Sequence, residues 1–325
     1  MIQEKTILFR EKFYEQPVVL VDGITRTGKS MLGPILTSFE GVELERMEII
    51  LERIPQLFMM GKISEDAAIS LLRIEVQMKL YESMISRNIN FRFGDHSSVF
   101  SQAKKLEYIK RAFRKEGDEV VERIKKEKPL FQVQQHDVLG ISEIYFKSFG
   151  KSLRIIEMIR HPIDVVYSQF KRGYGSREDN DPRIWAFTIN FKGHILPWFC
   201  QGIEDEYISC EKAIDKVILS YNERSRRLWK TYDNLNHEDR SNVLIVPFEK
   251  FVTSPLPYIK KIENFIGRKC SKSIEKTLKK ANCPRILKEE EMVSKLEEIK
   301  NIASEKYLKM LNQLCEDYNL RITDF

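Results

Sequence analysis

No stretch of this 325-residue chain stays apolar over the length of a bilayer, and none has the composition of a low-complexity linker. A membrane-crossing helix needs about 20 consecutive, mostly apolar residues, so no span is expected. The first stretch, MIQEKTILFREKFYEQ, is charged throughout and lacks the apolar centre of a secretion signal; a cytoplasmic protein is the expectation. Cysteine is sparse. Cys200, Cys210, Cys270, Cys283 and Cys315 are odd in number and include no C-x-x-C spacing. Neither a disulfide framework nor a zinc site is therefore expected, and a reducing compartment is. Dense Lys/Arg tracts interleaved with aromatics are also missing, and the net charge is only +6. A nucleic-acid partner is not expected.

What is present is an ordinary globular composition, 42% hydrophobic and 31% charged, long enough to bury a large core. PVVLVDG (17–23) reads as a buried parallel strand, β-branched and uninterrupted. A helix follows from about Ser30, early enough for Pro34 to be tolerated in its first turn. From about 43 to 128 the pattern is mostly helical; SEDAAISLLRIEVQMKLYESMI opens with Ser64 as N-cap and acids in its first turn. Further strands read as LFQVQQH (130–136), LRIIEMI (153–159) and NVLIVPF (242–248). Asp137 is the expected cap of the helix after the second strand, and a helix starts just past Pro162. FVTSPLPYIKKIENFIG reads as one helix, and the tail as an amphipathic helix at about 290–318.

Strands separated by helices give a parallel sheet covered on both faces. The expectation is a single α/β domain over 1–325, a three-layer P-loop-type fold with a central parallel sheet flanked by helices and a helical insertion at about 43–128. Ligands of such sheets bind beyond the carboxyl ends of the strands. GITRTGKS, HDV and RHP, which follow the first three strands, should therefore meet at one edge.

The first of these loops is a full match to G-x-x-x-x-G-K-[ST], with Gly23, Gly28, Lys29 and Ser30 in place. Such a loop surrounds a phosphate with backbone N–H groups. Kinase or NTPase chemistry with Mg·ATP also needs an acid for the metal, usually an Asp ending an apolar strand. Glu249 and Asp95 are poor substitutes, and the strand at 153–159 ends instead in Arg160. Ser168 comes eight residues later, about two helical turns on. Arg160 offers a fork and Ser168 a hydroxyl for a second phosphate; the plainer reading pairs Arg160 with Asp164.

With these residues the chain resembles the sulfotransferases that use 3′-phosphoadenosine-5′-phosphosulfate (PAPS). Their loop for the 5′-phosphosulfate runs PKSGTT or RSGT, and ITRTGKSML is similar to it through Arg26, Thr27, Gly28, Lys29 and Ser30. Their segment for the 3′-phosphate is R-x-P-x-D-x-x-x-S. IRHPIDVVYSQF matches it at Arg160, Pro162, Asp164 and Ser168. NVLIVPFEKFVTSP resembles a later strand–helix step of the family, and the likeness is weakest in the insertion. The chain departs from the family at Lys29, where Thr is usual, and at Arg26, where cytosolic members have Lys. Arg26 from the resemblance and Lys29 from P-loop geometry are both candidates for the cation at the bridging oxygen. The resemblance implies PAPS as donor and its product 3′-phosphoadenosine-5′-phosphate (PAP), with no metal. The alternative is a P-loop kinase or NTPase.

The acceptor, a hydroxyl or amine, must lose a proton, which suits histidine. Five are present. In the family a K-T-H-x-P histidine is the base, which points to His136; the family's lysine there is Gln134. His96, in FRFGDHSSVF, is the rival, and a carboxylate such as Glu48 or Asp95 is a third choice. His161 either covers the donor or caps its helix, while His194 and His237 read as surface. Trp185 and Trp198 are either acceptor-side walls or core, and Lys171 and Arg172 either extend the 3′-phosphate site or end a solvated helix. The acceptor is a small molecule, carbohydrate or lipid that the sequence does not specify. Oligomeric state is equally unreadable.

Overall fold

Four apolar segments pair as a parallel sheet in this computed structural model, which describes residues 6–95, 97–102, 104–178, 181–184 and 186–325. They are β1 (Val18–Asp22), β2 (Phe131–Gln134), β3 (Leu153–Ile159) and β4 (Val243–Pro247), in the order β2-β1-β3-β4. β1 is central, and its last residue, Asp22, stands beside Glu157 of β3. Alternate side chains serve two cores, as the pleat requires. Val18, Leu20, Phe131, Val133 and Ile155 pack with Leu72, Leu80, Ile144 and Tyr145. Val19, Val21, Ile156, Met158 and Val246 pack with Leu32, Ile35, Phe251 and Ile262. With both faces covered, the strands read as continuous apolar runs, and the expected α/β class is the observed one.

The free edge of β2 is covered by residues 42–46. Val42 bridges Leu130 and Arg46 bridges Val133 in parallel sense, and the Gln134 N–H donates to the Arg46 carbonyl at 2.9 Å. That pairing blunts an otherwise open edge. Beyond it the chain is helical at Ile49–Met59, Glu65–Met84, Lys105–Arg111 and Asp118–Glu127. No helix among the described residues is long and apolar enough to cross a membrane.

Several boundaries differ from the sequence expectation. Ser64 takes the N-cap position but makes no capping bond; the carboxylate of Asp66 instead accepts the Leu8 N–H at 2.8 Å. Asp137 does not cap the segment after β2. It adopts a φ of 59°, and the buried Asp22 carboxylate accepts the Leu139 N–H at 2.6 Å in its place. The helix after β4 divides into Phe248–Thr253 and Pro255–Ile266, because the residue before a proline is pushed out of helical geometry. The tail is two helices, Glu289–Ile302 and Glu305–Arg321. They part where Asp215 accepts both the N–H and the hydroxyl of Ser304, at 2.9 and 2.6 Å. A hairpin that the sequence reading missed pairs Thr188–Phe191 with His194–Pro197. Its two turn residues, Lys192 and Gly193, have φ of 51° and 84°, as a tight right-twisted hairpin needs.

The insertion is locked to the sheet edge by a buried pair. Arg111 donates to Glu43 through Nη1 at 2.6 Å and Nη2 at 3.1 Å. Tyr108 donates to the same carboxylate at 2.9 Å and accepts the Leu44 N–H. Removing one partner of such a pair strands the other charge away from water. Arg111→Met should therefore destabilise the fold by about 3 kcal/mol, read as a lower urea midpoint at unchanged slope; an unchanged midpoint would show the pair to be dispensable.

Candidate active site

The loop after β1 is shaped by two close approaches. A side chain on Gly23, which has φ of 151°, would place its Cβ 2.5 Å from the Met158 carbonyl and 2.6 Å from Thr27 Oγ1. At Gly28, with φ of 93°, a Cβ would lie 2.4 Å from the Phe248 ring. Only glycine fits either position without displacing backbone or a packed ring. Between them the Thr27 N–H closes on the Ile24 carbonyl at 3.1 Å, and Thr27 Oγ1 is buried with no partner.

The loop's two cations face different ways. Lys29 is buried, and its ammonium donates to the Gly23 carbonyl at 2.8 Å. Asp22, Asp137, Glu52 and Glu157 surround it. Burial lowers the Lys29 pKa despite these carboxylates. It raises that of Asp22, against the pull of Lys29. Arg26 is exposed and turns to the helix Pro162–Phe170, donating from Nε to Ser168 Oγ at 2.8 Å. Partial burial, then Arg172 and Arg160, lowers the Arg26 pKa. Arg160, at the end of β3, has Nη1 3.5 Å from the Arg26 carbonyl and Nη2 3.5 Å from Asp164. Its Nε is buried without a partner. Lys295 donates to the other Asp164 oxygen at 2.6 Å.

Arg26, Arg160, Ser168 and Arg172 therefore share one surface beside the glycine loop. Lys171 does not join them; Glu298 takes its ammonium at 2.6 Å. Arg285, which no sequence signal singled out, arrives from a stretch without periodicity. Its guanidinium lies 5.1 Å from the Phe248 ring centre, and that of Arg160 lies 4.3 Å from the same ring.

On the other side of the loop, His136 follows β2. Its Nδ1 is 2.6 Å from Glu52 Oε1, on the helix Ile49–Met59. The next N–H, of Asp137, points at the Gly23 carbonyl at 3.4 Å. Glu52, 84 residues away, was not legible as the partner. The other candidates are elsewhere. Glu48 is paired with Arg46 at 2.6 Å and Lys79 at 3.6 Å, and Asp95 accepts from Asn90 in an outer loop. His161 stacks edge-on against Tyr318, and its N–H donates to Glu249 at 3.0 Å. His194 and His237 are exposed, Trp198 is core, and His96 and Trp185 lie outside the described residues.

A glycine cradle, unpartnered buried Thr27 and Arg160 atoms, and clustered guanidiniums define a site for a ligand with more than one anionic group. The chain belongs to the sulfotransferase domain family, whose sequence model matches residues 16–324. No curated protein matches it in sequence. Among solved structures it is similar to the sulfotransferase domain of the Synechococcus PCC 7002 olefin synthase, with 13% identity, 97% of this chain and 98% of that one covered, and a TM-score of 0.48. It is similar to the sulfotransferase domain from the curacin biosynthetic pathway at 11%, 92%, 97% and 0.47 in the same terms. For a sulfotransferase from Alicyclobacillus acidocaldarius the figures are 13%, 90%, 98% and 0.37. Membership makes the chain a transferase of sulfuryl groups and leaves the kinase reading of the loop without support.

Under the loop, Glu157 is fully buried beside Asp22 on the neighbouring strand, and burial pushes its pKa well above the ordinary 4.5. Between those two values the folded chain keeps a proton that the unfolded chain has lost, so stability falls as pH rises through the window. Glu157→Gln removes that proton linkage. The variant should lose less unfolding free energy than the parent as pH rises above the ordinary carboxyl value of 4.5; parallel curves in urea melts would show Glu157 to be ionised in both states.

Proposed function

We propose that the chain moves the sulfuryl group of PAPS to a hydroxyl or amine of a small-molecule, carbohydrate or lipid acceptor, with His136 as general base. The observation that carries the reading is the 2.8 Å bond from Arg26 to Ser168, which joins segments 142 residues apart into one cationic surface. It supports reading the two motifs as parts of one donor site.

The donor, when bound, supplies a sulfuryl group on a good leaving group. The residues that would hold it are Gly28, Lys29 and Ser30 through their backbone N–H groups, Thr27 through its free hydroxyl, and Arg160 with Ser168 at the 3′-phosphate. Of the loop's two cations Arg26 is the exposed one, bonded to Ser168, and the reading assigns it to the bridging oxygen. Lys29 supports the loop from beneath, since its ammonium is already bound to a carbonyl among four carboxyl groups. Cations preorganised around a transferring group, together with N–H donors, meet the electrostatic demand, so the reading requires no resident metal.

His136 is half-buried beside the loop. With its Nδ1 proton directed to Glu52, the ring presents Nε2 as the acceptor for the substrate proton. Glu52 also steadies the imidazolium that forms, as a buried carboxylate does for a catalytic histidine.

PAP should raise the melting temperature of the parent by mass action, and Mg·ATP should not. Stabilisation by Mg·ATP alone would overturn the donor assignment. Arg160→Ala should weaken PAP binding by at least tenfold in calorimetry, since a charge-assisted bond contributes about 1.5–3 kcal/mol.

His136→Ala separates the base from the donor site. Its PAP affinity should match the parent's, while turnover with a labelled donor falls roughly 10²–10⁴-fold. Full activity would return the role to His96 or a carboxylate.

A further inference from the structure

Arg224 has no part in the reaction proposed above, yet it is a buried cation beside Asp137, the residue that follows His136. It sits at 4% exposure on the helix Ala213–Asn234. A guanidinium out of water costs several kcal/mol unless its donors are met and its charge is balanced. Arg224 meets them on three sides. Nη2 donates to Gln169 Oε1 at 2.8 Å, Nε to the Ser220 carbonyl at 3.1 Å, and Nη1 lies 3.5 Å from Asp137 Oδ2. The cation face rests 4.6 Å from the Phe199 ring centre.

Two of these partners lead back to the glycine loop. Gln169 donates through Nε2 to the Thr25 carbonyl at 2.8 Å. Asp137 faces the Gly23 carbonyl with its N–H at 3.4 Å and directly follows His136. Asp137 holds a φ of 59°, a conformation that a non-glycine residue keeps only when its surroundings impose it. The path from Gly23 through Asp137, Arg224 and Gln169 to Thr25 is a closed circuit. Ser168, the partner of Arg26, is the neighbour of Gln169 in sequence.

We infer that Arg224 is a positioning residue that fixes the His136 loop against the donor loop, so that donor binding and base placement are a single structural event. The inference rests on the sulfotransferase reading. It requires the planar fork as well as the charge. A lysine here balances Asp137, but its single ammonium does not span Asp137 and Gln169 in the same way.

The experiment uses the full chain with Arg224→Lys and Arg224→Met, first without ligand. Hydrogen exchange at the amides of residues 23–25 and of Asp137 should quicken together in Arg224→Lys while the melting temperature stays close to the parent's. Unchanged exchange at either loop would overturn the circuit. PAP is then added at saturation. In the parent it should shift the His136 imidazole resonance, identified by its loss in His136→Ala. In Arg224→Lys the shift should shrink and kcat fall about 10- to 100-fold, with PAP affinity changed less than threefold. Parental kcat in Arg224→Lys sinks the inference even if Arg224→Met fails to fold. Failure of PAP to bind the parent sinks the donor reading instead, and the ligand-free exchange result still decides the circuit.

Discussion

Asp22 ends the central strand with none of its surface exposed, and three parts of the site are joined through its carboxylate. It accepts the Leu139 N–H, which sets the turn that follows His136. It faces Lys29 of the glycine loop. Its register partner on β3 is Glu157, a second buried carboxyl whose pKa is pushed well up by burial and then by Asp22. A lone carboxylate at this depth would be costly. One Asp22 oxygen accepts the Leu139 N–H and Lys29 offsets its charge, while its other oxygen and both oxygens of Glu157 are buried without a hydrogen-bond partner. The loops after β1, β2 and β3 thus share a common anchor as well as a sheet edge.

That anchor gives the site two electrical layers. Beneath the loop lie Asp22, Asp137, Glu52 and Glu157 around Lys29. Beside it are Arg26, Arg160 and Arg172, close enough to depress the Arg26 pKa, with Arg285 sharing the Phe248 ring with Arg160. Guanidiniums assembled this way repel one another until an anion enters. Asp164 offsets part of the charge, but it is shared between Arg160 and Lys295.

The strands were legible because parallel strands buried on both faces have to be apolar throughout, and these are rich in Val, Ile and Leu. The convergence of GITRTGKS, HDV and RHP followed from topology alone. What failed was whatever depends on a distant partner. Asp137 looked like a cap because its own stretch suggested it, while the real acceptor is Asp22, 117 residues from the Leu139 N–H it takes. The break in the C-terminal helix lies with Asp215, 89 residues from Ser304. Glu52 and Arg224 sit on helices whose patterns say only that they are helices. The hairpin at 188–197 escaped because its strands are four residues each and only the first of them alternates.

The full Walker consensus in the loop needs a cause other than ATP once the family is known, and the surroundings of Lys29 provide one. The residue after Gly28 points down into a pocket of carboxyl groups, where a neutral side chain would leave Asp22 and Glu157 without a nearby cation. A lysine there balances the charge that the strand ends bring in, and gives the Gly23 carbonyl a second donor beside the Asp137 N–H. The consensus then describes how a glycine loop is held over an acidic floor. The neighbouring loops, where Arg160 and Ser168 stand, are cationic instead.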